Sequence, residues 1–389
     1  MFLKCAAGWP HAIAEIILLR LNSPPINPPL QRGILGLGKI RNPLEGFHSA
    51  HLLTYSLTHL LLLLLLTSCR SPSPAPPFQR FQFNSPHMGT LFTITLYATN
   101  QASAQSAAEA AFQRVAALEE TMSDYQADSE LMRLCEQPAG TPVRISTDLF
   151  DVLQQAQKFS ELSQGAFDVT VGPYVRLWRF SRKRKILPEP AEIAQARAAV
   201  GWKKLRLDAL TRTATLLVPN MRLDLGGIGK GYAADQALKS LKQKGINRGM
   251  VAASGDIAIG DAPPGQKGWK VGIANMDSNN NGITRTVYLR NAGVSTSGDT
   301  EQFVLINGIR YSHIVDPRTG VGLTNRIQVT VIAPNATTSD ALAKPVSVIG
   351  VKPGLALVDS LPRTSAFILL KNDDEVRSFV SRGWARSSP

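Results

Sequence analysis

Alternating apolar and polar positions predict several short strands between residues 89 and 370. In the first of them, 89–97, Thr90, Phe92, Ile94 and Leu96 occupy every second position, as in a strand whose successive side chains point to opposite faces. Segments 205–207 and 213–218 alternate around a polar turn, which predicts a hairpin. The other predicted strands are 251–259, 268–273, 284–289, 293–297, 303–306, 327–332 and 366–370.

Apolar residues three or four positions apart predict helices among these strands. The clearest helical segments are 102–122 and 147–163, each with one apolar face. A third helix, 229–244, stops before Gly245, a residue suited to the left-handed conformation that ends many helices. A fourth opens near Thr338, where a hydroxyl residue is expected to cap it. Short turns join most neighbouring strands, which favours an α+β fold over a doubly wound sheet.

The most biased stretch of the chain is the leucine run 60–66, inside an apolar segment that begins at Leu52 and ends at Cys69. It is too short to span a bilayer comfortably and is typical of a signal-peptide core before a cleavage site. Its closing residues, Leu-Thr-Ser-Cys, resemble the bacterial lipobox. The resemblance implies cleavage before Cys69, a lipid on its thiol, and a protein anchored to the bacterial cell membrane facing the periplasm or exterior. A short transmembrane anchor and a buried apolar helix are the alternatives.

The chain therefore divides into a leader, 1–68, a Ser/Pro-rich tether, 69–80, and one compact domain, 81–385. Residues 1–50 are unusual ahead of a signal-peptide core, and no methionine lies between Met1 and Met88. We expect that translation starts at a non-AUG codon closer to Leu52.

The net charge and the cysteines say little about function beyond making a nucleic-acid partner and a disulfide framework unexpected. The formal net charge is +13, and the densest basic cluster, Arg179 with 182–185, lies in no recognisable nucleic-acid motif, so nucleic acid is not an expected partner. We interpret the cluster as a solvated loop, with anionic lipid or an acidic partner as alternatives. Once Cys69 is lipidated, Cys135 stands alone in the mature chain, and we interpret it as a partly buried apolar residue on a helix.

A glycine-rich segment, 224–232, reads Asp-Leu-Gly-Gly-Ile-Gly-Lys-Gly-Tyr and is expected to lead from a strand into a helix. Its glycines permit close approach of a ligand, and the start of the helix offers N–H groups suited to phosphate. The spacing fits neither the dinucleotide-binding G-x-G-x-x-G pattern nor a P-loop. A tight turn without a ligand is the alternative interpretation.

Two further segments carry candidate chemistry. In 312–320, His313 is expected at a strand end, three residues before an Asp-Pro turn, where an imidazole could serve as a general base or have a structural role. In 337–344, Asp340 is expected in the first turn of a helix. It would either complement the helix dipole or act as a hard oxygen ligand for Mg²⁺.

These segments occur in the order found in one family. From Met88 to about Gly350 the chain resembles the ApbE family of FAD:protein FMN transferases. The resemblance implies one compact catalytic domain of mixed sheets and helices, related to the T-fold. Besides 224–232, 312–320 and 337–344, the matching segments are 87–90, 122–125, 128–131, 165–173, 254–256 and 295–299.

The resemblance also implies a reaction and a set of site residues. FMN would pass from FAD to a Thr or Ser hydroxyl of a target protein, with release of AMP and dependence on Mg²⁺. His313 matches the base, whereas Gly227, Asp340 and Lys344 match the metal-binding positions. The positions that match FAD contacts are Met88, Tyr125, Ala166, Phe167, Asp168, Asp224, Lys230, Ser297 and Gly298. The implied acceptor is a flavoprotein subunit of a membrane or exported electron-transfer complex.

One position departs from the family pattern. Where many relatives have a threonine whose hydroxyl helps to hold the metal, this chain has Lys344, followed by Pro345. Lys344 could offer its backbone carbonyl to the metal or could pair with Asp340, four residues before it. Two alternatives to the transferase therefore remain: an FAD pyrophosphatase that uses water as the acceptor, and a non-catalytic FAD-binding lipoprotein.

Overall fold

An antiparallel eight-stranded sheet is the centre of the computed structural model, which describes residues 77–276, 283–298, 303–372 and 375–384. The sheet has the order β1-β2-β6-β7-β10-β13-β14-β15. In chain order the strands are β1 (Gln79–His87), β2 (Thr90–Ala98), β3 (Val143–Arg144), β4 (Leu205–Asp208), β5 (Thr213–Leu216), β6 (Gly249–Ala253), β7 (Asp256–Ile259), β8 (Trp269–Ala274), β9 (Ile283–Leu289), β10 (Ala292–Gly298), β11 (Phe303–Ile306), β12 (Ile309–Ser312), β13 (Arg326–Ala333), β14 (Ser365–Asn372) and β15 (Glu375–Val380).

The remaining strands form three small antiparallel sheets, β3-β5-β4, β8-β9 and β11-β12. The helices are α1 (Gln101–Met122), α2 (Glu130–Cys135), α3 (Thr147–Leu162), α4 (Gly172–Arg184), α5 (Pro190–Ala198), α6 (Gly229–Gln243), α7 (Ala336–Ile349) and α8 (Val351–Asp359). Two short 3₁₀ turns span Val169–Val171 and Trp202–Lys204.

Helices α1, α6 and α7 cover one face of the central sheet. Helix α6 contacts α1, α7, β6 and β7, while α7 contacts β10 and β13. The approach of α6 to α7 depends on Gly231, because a Cβ there would lie 2.7 Å from the Asp340 Cβ and closer still to the Ala336 carbonyl. The apolar faces of these helices and the strands beneath them form the main core, which explains why helical and alternating patterns are interleaved in the sequence.

A second cluster lies around the β8–β9 hairpin. Trp269, Val271 and Val287 pack with Phe367 of β14 and with Trp384. The Phe367 and Trp384 rings stack with their centroids 5.4 Å apart. The central sheet is therefore packed against the β8–β9 hairpin as well as against α1, α6 and α7.

The structure confirms the α+β prediction, but not its reason, since only three neighbouring pairs of the central sheet, β1-β2, β6-β7 and β14-β15, are consecutive in the chain and the other pairs are separated by further elements. Helices 102–122, 147–163 and 229–244 are present within one residue at each end, and Gly245 has the expected positive φ of 82°. Cys135 is half-buried at the end of α2, and burial raises the pKa of its thiol. Its sulfur accepts a hydrogen bond from the Leu223 N–H at 3.3 Å, which confirms the structural interpretation.

Four local predictions were wrong. The segment 251–259 is two strands, β6 and β7, separated by a turn at Ser254, whose φ is 57°. The basic cluster is not a loop, since most of it lies on α4, where Pro173 is tolerated in the first turn. The glycine-rich segment does not follow directly on a strand, since residues 221–225 have no regular secondary structure. Helix α7 begins earlier than expected, because Asn335 caps it by accepting from the Thr338 N–H.

Helix α7 continues through Pro345 to Ile349. None of the helices among the described residues has the length and apolar character needed to cross a membrane. The leucine run, Cys69, the tether up to residue 76 and the question of the translation start all lie outside the described residues.

Candidate active site

Asp340 lies at the centre of a group of buried charges. Its side chain is fully buried on α7, directly after the first turn rather than in it as predicted. One carboxylate oxygen accepts from the Gly231 N–H of α6 at 3.0 Å, and the other accepts from the Lys344 ammonium one turn further along α7. Both oxygens of Asp340 are therefore engaged by the protein itself.

A second lysine–aspartate pair lies beside this one. Lys230, in the first turn of α6, donates to Asp256, which begins β7 and is 2 % exposed. Burial lowers the pKa of Lys230, but the Asp256 and Asp340 carboxylates outweigh it and raise that pKa. Burial by itself would raise the pKa of Asp256. The positive charges of Lys230 and Lys344 outweigh burial, so the pKa is lowered. We refer to Lys230, Asp256, Asp340 and Lys344 as the buried charge cluster.

The 224–227 turn brings the glycine-rich segment against this cluster. The Asp224 carboxylate accepts from the Gly226 N–H at 2.8 Å, which fixes the turn. A Cβ on Gly227 would lie 3.1 Å from the Phe167 ring and 3.7 Å from Cγ of Lys344. Residues predicted from three separate motifs therefore meet here, and a larger residue at 227 would press on Phe167.

The predicted contacts Ala166, Phe167 and Asp168 follow α3 and are all buried. One Asp168 oxygen accepts from both the backbone N–H and the hydroxyl of Thr170, each at 2.7 Å. Burial raises the pKa of Asp168 against these hydrogen bonds. The Asp224 N–H donates to the Val169 carbonyl at 2.8 Å, so this segment and the 224–227 turn are held together.

Tyr125 is 78 % exposed and is linked to the same turn through Arg179. The Arg179 guanidinium lies 4.2 Å from the centre of its ring, at cation–π distance. Arg179 also binds Asp124 at 2.5 Å and Asp224 at 3.3 Å. Burial and the neighbouring Asp124 raise the pKa of Asp224, while Gly226 and Arg179 oppose that shift. We refer to Asp124, Tyr125, Arg179 and Asp224 as the tyrosine shelf.

Other predicted FAD contacts lie elsewhere on the central sheet. Met88 is at the β1–β2 turn with a φ of 50°, and its N–H donates to Glu119 at 2.8 Å. Ser297 and Gly298 are the last residues of β10 and pair with Val329 and Gln328 of β13. The hydrogen bonds and ion pairs described above for the cluster and the shelf do not include these three residues.

His313, the predicted base, directly follows β12 and is half-buried. The backbone on both sides of it is held by a second segment: the Ser312 N–H donates to the Leu323 carbonyl at 2.7 Å, and the Leu323 N–H to the Ile314 carbonyl at 2.9 Å. The following turn is closed by Asp316, which accepts from the Arg318 N–H at 2.9 Å. The strand-end position and the Asp-Pro turn are thus as predicted.

The metal-binding positions fit a divalent cation only in part. A buried carboxylate and a backbone carbonyl, from Asp340 and Gly227, are ligands that Mg²⁺ accepts. The Lys344 ammonium is not, because it is positively charged and already binds Asp340. Among the described residues no group of three His, Cys, Asp or Glu side chains could hold a metal. The pairing of Lys344 with Asp340 that the sequence offered as an alternative is the arrangement observed.

Three residues of the site were given no role from the sequence. Asp124 and Asp256 lie inside segments that carried the family resemblance, and their position next to Tyr125 or after Ser-Gly was the available signal. Arg179 was counted only as part of a basic cluster. Its role requires knowing that 172–184 is a helix, which places this one basic residue toward Asp124 and Asp224.

Comparison with known proteins gives a consistent set of relatives. An FAD:protein FMN transferase of Vibrio cholerae is 29% identical over 331 residues, 84% of this chain and 96% of the relative. One of Haemophilus influenzae is 32% identical over 260 residues, 65% of this chain and 75% of the relative. The solved flavin transferase ApbE from Vibrio cholerae superposes with a TM-score of 0.73 at 28% identity, covering 80% of this chain and all of that structure.

The solved ApbE protein from Thermotoga maritima is similar to the same extent, with a TM-score of 0.72 and 27% identity over 80% of this chain and 100% of its own. These structures confirm a mixed α+β domain. The family model described as the ApbE family matches residues 88–368, which include both the buried charge cluster and the tyrosine shelf. The chain therefore belongs to the ApbE family.

Proposed function

We propose that the chain moves the FMN half of FAD onto a threonine or serine hydroxyl of an acceptor protein and releases AMP. Its family and the shared activity of its relatives make it an FAD:protein FMN transferase. The observation that carries the assignment of this site is the 224–227 turn, which joins an exposed aromatic ring to a buried group of lysines and carboxylates. A flavin ring and a diphosphate require those two surroundings side by side.

The tyrosine shelf would receive the flavin ring. Tyr125 is mostly exposed, and Arg179 lies over one face of its ring while it binds two carboxylates. Stacking on such a face suits any flat ring system. Lys230 would face the diphosphate, since an ammonium is a common phosphate ligand. The remaining proposed FAD contacts are Met88, Ala166, Phe167, Asp168, Asp224, Ser297 and Gly298.

The chemistry is a phosphoryl transfer that depends on positioning and on removal of one proton. His313 would accept the proton of the acceptor hydroxyl as that oxygen attacks the FMN-side phosphorus. The bond from this phosphorus to the bridging oxygen breaks, and AMP leaves with its electron pair. The paired backbone around His313 would hold the imidazole in position during this step.

The magnesium site is where this chain departs from the family pattern. Gly227 and Asp340 suit a hard cation, but the ammonium of Lys344 lies on the carboxylate that would bind it. The residues present do not fit a divalent cation in this arrangement. We therefore assign no step of the reaction to Mg²⁺.

The proposed location rests on the lipobox-like segment, and the proposed acceptor rests on the family resemblance. A lipid on Cys69 would anchor the domain to the bacterial cell membrane, facing the periplasm or exterior. The acceptor would then be a flavoprotein subunit of a membrane or exported electron-transfer complex, and nucleic acid would have no role. Radiolabelled lipid incorporation into the full chain, lost in Cys69→Ala, would support the anchor, whereas equal labelling of both would contradict it.

The transferase is tested by incubating the full chain with FAD and a threonine-containing acceptor protein, with and without Mg²⁺, while AMP, free FMN and acceptor mass are measured. We expect an acceptor mass gain equal to FMN. His313→Ala should slow transfer by about 10²- to 10⁴-fold with unchanged FAD affinity. Thr319→Ala, an exposed change in the same loop, is the control. AMP with free FMN and no labelled acceptor would instead identify a hydrolase.

A further inference from the structure

Lys344 occupies a specific place in the buried charge cluster. Its stem passes Gly227, with Cγ 3.7 Å from where a Cβ of that glycine would lie, and its ammonium binds Asp340. The side chain is only 19% exposed. The ammonium therefore binds Asp340 and its stem passes Gly227, which are the other two positions that the family resemblance associates with a metal ion.

Geometry along α7 makes this placement a stable one. Residues 340 and 344 lie one turn apart on the same face, with the acid nearer the helix start, which is the favourable order for such a pair. Asp340 cannot turn away, because its other oxygen holds the Gly231 N–H at the close crossing of α6 and α7. A divalent cation would have to share this carboxylate with a neighbouring positive charge, and the two would repel.

The charges of the cluster balance without a metal ion. Lys230 and Lys344 stand against Asp256 and Asp340, and Lys344 acts electrostatically on Asp256 as well as on its own partner. A threonine at 344 would leave two carboxylates against one lysine, a deficit that a bound cation would correct. The lysine supplies that positive charge from within the chain.

We propose that the Lys344 ammonium replaces the divalent cation, so that this chain binds the diphosphate of FAD without Mg²⁺. An ammonium has three donors, and the bond to Asp340 uses one of them. Phosphate oxygens accept such donors well, so the group can serve a diphosphate while it remains on Asp340. The proposal rests on the proposed function, since FAD is taken as the substrate.

The deciding measurement is the FAD dissociation constant of the full chain, by calorimetry, in EDTA and in excess Mg²⁺. We expect the two values to agree within about twofold. Lys344→Thr should bind FAD weakly in EDTA and regain about tenfold or more in affinity with Mg²⁺. Lys344→Met, whose side chain has neither a positive charge nor an oxygen that could bind Mg²⁺, should bind FAD weakly in both solutions. Lys352→Thr changes an exposed lysine on α8 and should bind FAD like the unmodified chain.

Electron paramagnetic resonance with Mn²⁺ alone gives a readout that does not depend on FAD. The unmodified chain should leave Mn²⁺ free at concentrations at which Lys344→Thr binds it. Saturable Mn²⁺ binding by the unmodified chain, or FAD binding only with Mg²⁺, would overturn the proposal and leave the transferase assignment intact. Absence of FAD binding under every condition would refute the proposed function, while the Mn²⁺ comparison would still decide the role of Lys344. If the variants do not fold, the two measurements on the unmodified chain decide it.

Discussion

The buried charge cluster and the tyrosine shelf share the 224–227 turn but are built in opposite ways. In the cluster Asp340 is fully buried and each of its oxygens already has a protein partner, whereas on the shelf Tyr125 is 78% exposed. Tertiary packing of α6 against α7 holds the cluster, and a single arginine holds the shelf. Changes in the cluster should therefore affect stability first, and changes on the shelf should affect ligand binding first.

The largest effect is expected from Asp340→Ala. The change leaves the half-buried Lys344 ammonium and the Gly231 N–H without their acceptor, and removing one member of a buried pair typically costs about 3 kcal/mol or more. Urea unfolding followed by circular dichroism would measure it. Glu375→Gln, in an exposed pair with Arg377, is the control and should leave the free energy of unfolding almost unchanged. Equal losses in the two variants would show that the cluster is not built as described.

A smaller loss is expected from Gly231→Ala. The new methyl group would lie 2.7 Å from the Asp340 Cβ and closer to the Ala336 carbonyl, so α6 and α7 must separate at a cost of about 2 kcal/mol. Gly229→Ala is the matched variant in the same helix, because its nearest neighbour, the Leu225 Cβ, is at 3.7 Å. It should be neutral or slightly stabilising in the same unfolding assay. A similar outcome for both glycines would argue against the close helix crossing.

The sequence predicted the elements of this fold better than it predicted their contacts. Helices 102–122, 147–163 and 229–244 were correct because each has one continuous apolar face. The helix 172–184 was missed because its many exposed arginines and lysines hide the few buried positions, Tyr174, Trp178 and Ser181. The division of 251–259 into two strands depends on a positive φ at Ser254, which a serine gives little reason to expect.

The site was predicted residue by residue from the family resemblance, and physical reasoning alone left each motif open. Physical reasoning did predict the pairing of Lys344 with Asp340, because two residues four positions apart on a helix lie on the same face. Lys230 with Asp256 and Arg179 with Asp224 are pairs between distant segments. Such pairs depend on how α4, α6 and β7 are assembled, which no local pattern contains.

On the shelf, Tyr125→Ala should weaken FAD binding by about tenfold while stability stays within about 0.5 kcal/mol. The ring is mostly exposed, so the folded domain loses little when it is removed, but a flavin loses its stacking surface. Tyr125→Phe keeps the ring and should bind almost normally. Fluorescence titration with FAD, paired with thermal unfolding of each variant, gives both quantities. A large fall in stability with unchanged affinity would reverse the roles assigned to the shelf and the cluster.

The smallest effect is a difference in how pH acts on the two regions. The pKa of Asp256 is lowered in the fold, so its contribution to stability is present above the ordinary value of 3.8 and is lost as pH falls through the folded-state pKa. The pKa of Asp224 is raised by burial and by Asp124, so its contribution is present below 3.8 and is lost as pH rises through the folded-state pKa.

Asp224→Asn should therefore be slightly more stable than the unmodified chain at pH 7, and the difference should vanish below pH 3.8. The amide oxygen can still accept the Gly226 N–H, and Arg179 keeps Asp124, so the turn and the shelf should survive the change. Asp256→Asn should show the opposite sign, with a loss at pH 7 that shrinks in acid. Urea unfolding of both variants from pH 3 to pH 7 tests this. If both variants lose stability at pH 7, burial does not set the pKa of Asp224. Arg179 would then stabilise the Asp224 carboxylate as Lys230 stabilises that of Asp256.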